Sequence, residues 1–251
     1  MGSVQRASRI LKLLSVQEKP LGLSAISHQL GIPKSTAHGI VTTLVQERLV
    51  EVDETVRYSI GLGALEVGTA YLRRSGAAPV VMPELVRLMR ELAMTAHWAI
   101  LDRDEVVYLC KEDPPGQGIR LASAIGARLP AATTAVGKCC LAWLPPDQLA
   151  SHLEAGGRDL VTELGDVREF GYALDAEETA AGITCVAAPV FDLGGPRGAI
   201  GVSFLTGAAD LDAVTKRVRA AAEQLNRALG GTSAAQQRRV TGDAGIEAHH
   251  G

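Results

Sequence analysis

The sequence predicts an α+β fold: an N-terminal winged helix-turn-helix, then a larger domain of antiparallel strands with flanking helices. Three observations carry this prediction. Two short amphipathic helices are separated by the break Gly31-Ile32-Pro33. A strand–turn–strand pattern rich in β-branched residues follows directly, from Leu49 to Ile60. From Val80 onward, helical periods combine with pairs of apolar strands joined by charged or glycine-bearing turns, which is the layout of helices packed on an antiparallel sheet.

In chain order, Val4 to Val16 has a helical period, with Ile10, Leu11, Leu13 and Leu14 as an apolar stripe among Arg6, Arg9 and Lys12. Pro20 and Gly22 end it. Ser24 is placed to cap a second short helix carrying Ile26 and Leu30. Gly31 suits a helix stop and Pro33 the next start. The third helix is expected from about Lys34 to Glu47, because Ala37, Ile40, Val41, Leu44 and Val45 recur at helical spacing. Val50, Val52, Val56, Tyr58 and Ile60 favour strands around the turn Asp53-Glu54-Thr55. Gly61 to Ser75 reads as a linking helix with Leu62, Leu65, Val67 and Tyr71, and Gly76-Ala77-Ala78-Pro79 marks a boundary. Beyond it come a helix from about Val80 to Thr95 and two strands within Trp98–Leu109, around the charged turn Asp102 to Glu105. Strands Ile183–Val190 and Ala199–Leu205 flank a Gly194-Gly195 turn, and Asp210–Leu229 is a long amphipathic helix. After Gly230 the period disappears, which predicts a disordered tail. No internal repeat is visible. The chain therefore divides into a winged helix-turn-helix over 1–60, a linker helix over 61–78, a second domain over 79–230 and a tail over 231–251.

Composition narrows the function classes. Of 251 residues, 47% are hydrophobic and 21% charged, which excludes a disordered chain and suits one large domain or two modest ones. A net charge of −3 excludes a polycation. Nine of the 25 Lys/Arg and six of the 28 Asp/Glu fall between Met1 and Ala78, so the head carries a net +3 and the remainder −6. That asymmetry fits a DNA-reading module on an acidic body, although chance also produces it. No stretch has the apolar length of a membrane span, and the N-terminus has no secretory pattern, so a cytoplasmic protein without a membrane partner is expected. Cys110, Cys139, Cys140 and Cys185 form neither a C-x-x-C nor a zinc pattern and read as reduced, buried thiols. No cofactor and no metal is expected.

The face of the third helix opposite its apolar stripe shows Ser35, Thr36, His38, Gly39, Thr42 and Thr43, small polar groups able to approach base edges and phosphates. Its N-terminus offers N–H groups to a phosphate, helped by Lys34. Arg57, beside the hairpin tip, can reach backbone or minor groove. The candidate DNA-contacting residues are thus Ser24, Lys34, Ser35, Thr36, His38, Thr42 and Arg57. The stretch Leu23 to His38 (LSAISHQLGIPKSTAH) resembles the start of IclR-type regulators, the isocitrate lyase regulator family. Arg57-Tyr58-Ser59-Ile60-Gly61, then Leu62 to Leu65 with Glu66 and Gly68, is similar as well. The resemblance runs to about Gly230. One departure is Gly39, where the family often has Arg; it removes a DNA contact the resemblance implies and lowers helix propensity.

The resemblance continues through Ala127–Lys138, Gly171–Glu178 and Gly182–Phe191. It implies a GAF-like effector-binding domain, a transcription regulator, and an organic or aromatic acid as the small-molecule effector. It also implies double-stranded operator DNA as partner and a homodimer or homotetramer, and it suggests a repressor, while the sequence itself does not distinguish repression from activation. Matched residue by residue, its pocket falls on Leu121, Ala135, Val136, Asp175, Ile183, Cys185, Gly201 and Ser203. The chemistry fits a pocket: Leu121, Ala135, Val136 and Ile183 give apolar walls, Asp175 and Ser203 give hydrogen bonds, and Ala135 and Gly201 leave room. Two departures are Ala132, where the family usually has His, and Gly201, where Ser is common; the second suggests a larger or less polar effector than the smallest keto acids. The competing structural reading makes Asp175 a loop brace and Cys185 a core residue.

Other functions find less support. An enzyme needs a nucleophile, a base and an orienting group. Of the six histidines, His28 and His38 lie in the head and His249 and His250 in the tail, while His97 opens a strand and His152 lies on a polar helix, none in a catalytic motif. Gly137-Lys138 fails as a phosphate loop because Ala132 and Cys139 occupy the required Gly and Ser/Thr positions. Gly61-Leu62-Gly63 fails as a dinucleotide motif because Glu66 replaces the third glycine. A thiol-based redox sensor using Cys139 and Cys140 would need a lowered thiol pKa, which Lys138 is placed to promote.

Overall fold

The computed structural model describes residues 2–116 and 124–241. The chain forms two compact units, residues 1–75 and 76–251.

The first unit contains α1 (Ser3–Ser15), β1 (Leu21–Gly22), α2 (Leu23–Leu30), α3 (Lys34–Gln46), β2 (Val50–Val52), β3 (Arg57–Ile60) and α4 (Leu62–Ser75). The apolar stripes of α1, α2 and α3 converge with the wing on one core of Ile10, Leu14, Ile26, Val41, Leu44, Val50 and Tyr58. Gly31 makes the turn between α2 and α3 in the left-handed region (φ 62°), and the Ser27 hydroxyl closes it by donating to Ile32 O at 2.6 Å. Ser24 does not cap α2. Gly22 holds that position, extended because β1 pairs with β3, and Ser24 lies exposed inside the first turn. β1 makes the wing a three-stranded antiparallel sheet in the order β1-β3-β2; two residues are too short a run to signal a strand in sequence.

The second unit contains α5 (Ala78–Leu92), β4 (Thr95–Asp102), β5 (Glu105–Glu112), β6 (Arg128–Pro130), α6 (Ala135–Leu141), α7 (Pro146–Phe170), β7 (Ala173–Ala176), β8 (Ile183–Asp192), β9 (Gly195–Leu205), α8 (Leu211–Leu229) and α9 (Ala234–Thr241). Six strands form one antiparallel sheet in the order β6-β5-β4-β9-β8-β7. One face carries Ala96, Trp98, Val186, Ala188, Ile200 and Val202 against the apolar sides of α5 and α8. The opposite face carries Ala99, Ala173, Ala187 and Ala199 against α6 and α7. The alternation of side chains along each strand assigns residues to these two layers. The helix expected to reach Thr95 stops at Leu92, where Ala93 turns left-handed (φ 53°) and releases Thr95 into the sheet.

The segment after Gly230 also differs from expectation over α9. Ser233 and Gln236 form a reciprocal capping box: the Gln236 N–H donates to Ser233 Oγ at 3.2 Å and the Ser233 N–H to Gln236 Oε1 at 2.9 Å. Residues 242–251 lie outside the described residues.

Candidate functional site

The exposed face of α3 carries Lys34, Ser35, His38, Gly39, Thr42 and Thr43, while Ala37, Val41 and Leu44 point into the core and Thr36 is half-buried between them. Lys34, His38 and Thr42 follow one another at four-residue spacing, so they share a stripe. Pro33 precedes the helix and no side chain caps it, which leaves first-turn N–H groups directed outward. In the wing, Asp53 Oδ1 accepts from the N–H groups of Thr55 (2.8 Å) and Arg57 (3.0 Å) and from the Thr55 hydroxyl (2.7 Å). These bonds hold the Asp53 carboxyl below the usual range and leave the Arg57 side chain exposed beside the tip. Ser24 and the α3 stripe are all exposed on this unit.

In the second unit, register sets a row of polar side chains across four strands. Thr95 pairs with Ser203, Ser203 with Cys185, and Cys185 with Asp175. Thr95, Ser203 and Asp175 are buried and Cys185 is half-buried. The Cys185 thiol and Ser203 hydroxyl are 3.0 Å apart. Asp175 Oδ1 accepts from the N–H groups of Glu178 (2.9 Å) and Thr179 (3.2 Å), so it braces the turn after β7. Thr95 donates to Asp113 Oδ1 at 2.7 Å, and Lys111 Nζ lies 3.0 Å from Asp113 Oδ2.

His97 is the buried member that the sequence did not assign to the site. Its Nε2 lies 2.9 Å from Ser203 Oγ, its ring meets Tyr108 edge-on with centroids 5.3 Å apart, and Nδ1 has no hydrogen-bond partner. Burial, aided by the charge of Lys111 and opposed by that of Asp113, holds the imidazole down to about 4, so it is neutral near pH 7. Gly201 is part of the same arrangement. A Cβ there would stand 2.7 Å from Val186 O, 2.9 Å from His97 Cε1 and 3.0 Å from Ala187 Cβ. The space directly beside Gly201 is therefore taken up by the Val186 carbonyl, the His97 ring and the Ala187 methyl.

Two sequence profiles cover most of the chain: "IclR helix-turn-helix domain" matches residues 3–54, and "Bacterial transcriptional regulator IclR C-terminal" matches residues 69–227. The chain belongs to the IclR family of bacterial transcriptional regulators. It is 34% identical to the HTH-type transcriptional regulator XynR of Escherichia coli (strain K12), covering 91% of this chain and 97% of that one. It is 31% identical to the acetate operon repressor of Salmonella typhimurium, covering 92% of each. An IclR homolog from Microbacterium hydrocarbonoxydans, solved in complex with 4-hydroxybenzoate, shares the fold with a TM-score of 0.81 at 20% identity over 91% of this chain and 99% of that one. The family fixes the class of the protein as a DNA-binding, effector-modulated regulator with a helix-turn-helix head and an α+β body.

Within this IclR-family body, Asp175, Cys185, Gly201 and Ser203 share one face of the sheet. Ile183 lies two residues before Cys185 on that face, and Ala135 and Val136 belong to the apolar layer covering it. Leu121 lies outside the described residues. A cleft of about 240 Å³ opens nearby, lined by Lys138, Glu163, Asp166, Phe170, Tyr172 and Leu174 among others, and none of the residues expected from sequence lines it.

Lys138 does not activate the thiols. Its buried Nζ is held by Glu178 Oε1 (2.6 Å), Glu163 Oε2 (2.8 Å) and Leu174 O (3.1 Å). Burial lowers its pKa, but the hydrogen bonds it donates to the two carboxylates reverse this, and the net direction is upward. Held in this way, its charge opposes the rise of the Cys139 thiol only weakly against burial. Cys139 donates to Ala187 O at 3.3 Å and burial pushes its thiol well up; burial also pushes Cys140 up to about 12 and Cys185 to about 11. These are environments for thiols rather than reactive thiolates.

Proposed function

We propose that this regulator reads operator DNA with α3 and the wing, as a homodimer or a dimer of dimers, and that an organic or aromatic acid held at the Thr95–Ser203–Cys185–Asp175 row modulates that binding. The observation that carries the DNA reading is the exposed stripe Lys34, His38 and Thr42, bounded by Ser35 and Gly39 and set on a helix whose opposite side is core. Lys34, Ser24, Thr36 and Arg57 are assigned to the phosphate backbone and Ser35, His38 and Thr42 to base edges. A self-associating protein is supported by α4, which exposes Leu62, Leu65, Val67 and Tyr71; apolar groups spread around a helix call for a cover. Residues 1–60, 61–78 and 79–230 act on this reading as reader, link and sensor. With chromosomal DNA as its target, the protein works in the cytoplasm.

The relative solved with 4-hydroxybenzoate motivates an aromatic acid, and the relative named as acetate operon repressor motivates repression as the sense of regulation. Ser203 and His97 form a hydrogen-bonded pair, but His97 Nδ1 has no group to orient it and the Ser203 hydroxyl also meets Cys185. A triad needs that third group, so the pair reads as a binding feature rather than a catalytic one.

Footprinting on genomic fragments tests the DNA reading. Two related half-sites about 10 base pairs apart, or a multiple of that, are expected. A single unpaired site would count against the symmetric oligomer. A thermal-shift screen of organic and aromatic acids tests the effector, since a ligand of the folded state raises its melting temperature.

A further inference from the structure

An acid placed at the polar row would meet an electrostatic difficulty. The row already holds the Asp175 carboxylate, buried among groups that exclude water. The cations near it are committed: Lys111 to Asp113, and Lys138 to Glu163 and Glu178. Cys185 and Tyr108 keep their protons because burial raises both. A second carboxylate in this setting is strongly unfavourable unless a positive charge meets it. Among the described residues around the row, His97 is the group able to gain one. It stands under Ser203, over Gly201 and against Tyr108, with one ring nitrogen unpartnered.

We propose that His97 supplies the positive charge for an acidic effector, neutral in the empty site and protonated when the acid is bound. This rests on the acidic-effector reading given above. The step is a binding equilibrium: acid anion, neutral imidazole and one proton from solution become an imidazolium–carboxylate pair. Both ring nitrogens of the imidazolium donate, Nε2 to the Ser203 hydroxyl, whose own proton is then free to turn to the ligand. The groups acting on His97 are Lys111 and Tyr108 from β5 and Asp113 just beyond it; Asp175 from β7 and Cys185 from β8 lie on the same face of the sheet, Arg197 lies toward the far end of β9, and α6 over that face carries Cys139, Cys140 and the paired Lys138. Asp113 favours the imidazolium and Lys111 opposes it, so the added carboxylate tips the balance.

The test is calorimetry on the full chain with acetate, benzoate and 4-hydroxybenzoate, each against its neutral amide, at roughly pH 5.5, 6.5 and 7.5 in buffers of differing ionisation enthalpy. Binding of the acid should tighten about tenfold for each unit fall in pH, with about one proton taken up, and amide binding should show neither. Imidazole nitrogen NMR of the wild-type protein should show one buried ring passing from neutral to protonated as acid is added. His97→Asn and His97→Gln should bind the acid more weakly and without the proton uptake. Binding that is independent of pH, with no proton taken up, overturns the proposal and hands the charge to another residue. Uptake with the ring still neutral, retained in His97→Asn, also overturns it, because the acid would then bind un-ionised. If no acid binds at any of these pH values, the acidic-effector reading itself falls and takes this inference with it.

Discussion

His97 Nε2 lies 2.9 Å from Ser203 Oγ, across the β4–β9 pair and sealed from solvent. The burial of this ring makes stability depend on pH in a defined window. The unfolded imidazole titrates near its ordinary 6.5 and the folded one at about 4. Between these values the unfolded chain binds more protons than the folded one. The contribution is fully present above 6.5 and is lost as pH falls toward 4, and it amounts to about 3 kcal/mol. Urea unfolding of the ligand-free protein from pH 7.5 to 4.5 checks this. His97→Gln should lose that part of the pH dependence while keeping a partner for Ser203; an unchanged profile would show that His97 does not titrate in this range.

Gly201 is held small by its neighbours. A side chain there needs movement of Val186 O, which is backbone, and of the His97 ring. Gly201→Ala and Gly201→Ser should each destabilise by about 1–3 kcal/mol, the range for overfilling a packed site. Combining Gly201→Ala with His97→Asn should cost less than the two single changes together, because removing the ring relieves one of the close contacts. Thermal or denaturant unfolding of the four proteins gives the coupling. Strict additivity would mean that the ring and Gly201 do not share the space.

The head was legible because its signals are local. The stripe of α3 and the Gly31 turn lie within a few residues of each other, and both can be read from helical spacing. The site was legible only in part. Asp175, Cys185 and Ser203 sit on three strands, and their meeting is a matter of register, which no single segment encodes. His97 does not stand out in sequence, because Thr95 to Ala99 are all buried and β4 lacks the polar–apolar alternation that tells one face from the other. Gly201 suggests room for a ligand in sequence, because the His97 ring beside it comes from a strand about a hundred residues earlier. β6, with three residues, is too short to signal, whereas α9 announced itself through Ser233 and Gln236, a capping pair overlooked in a polar stretch.

Arg57 and Thr42 should differ in kind as DNA contacts. Arg57 is exposed beside the wing tip, held there by the Asp53 turn, and Thr42 lies on the exposed stripe of α3. Arg57→Ala should weaken binding to all sequences alike and flatten the salt dependence by about one unit. Thr42→Ala should instead alter which base pairs are preferred. Its stability effect should be small, because Thr42 is exposed and helical and Ala is the better helix former. Binding measured against a randomised operator library at two salt concentrations separates the outcomes. Uniform loss for both variants would remove Thr42 from the base-reading set.

Effector and operator must influence each other's binding equally if the same protein states respond to both. Such coupling is typically about 1–3 kcal/mol, or roughly 5- to 150-fold in affinity. The structure indicates which variants probe it cleanly. Asp175→Ala would remove the acceptor of two backbone N–H groups and loosen the turn after β7, so lost effector binding would be ambiguous. Asp175→Asn retains an acceptor oxygen for those N–H groups and removes only the charge. Ser203→Ala leaves His97 Nε2 without its partner and should cost about 1–3 kcal/mol of stability. Both variants should change effector affinity while leaving ligand-free operator binding close to wild type, because neither residue belongs to the DNA-reading unit. Asp175→Asn should tighten binding of an acid, since it removes a like charge, whereas Ser203→Ala should weaken it. Titrating the acid with and without operator, and the operator with and without acid, must give the same factor. An acid whose affinity is unmoved by operator is a ligand of this protein but not its effector.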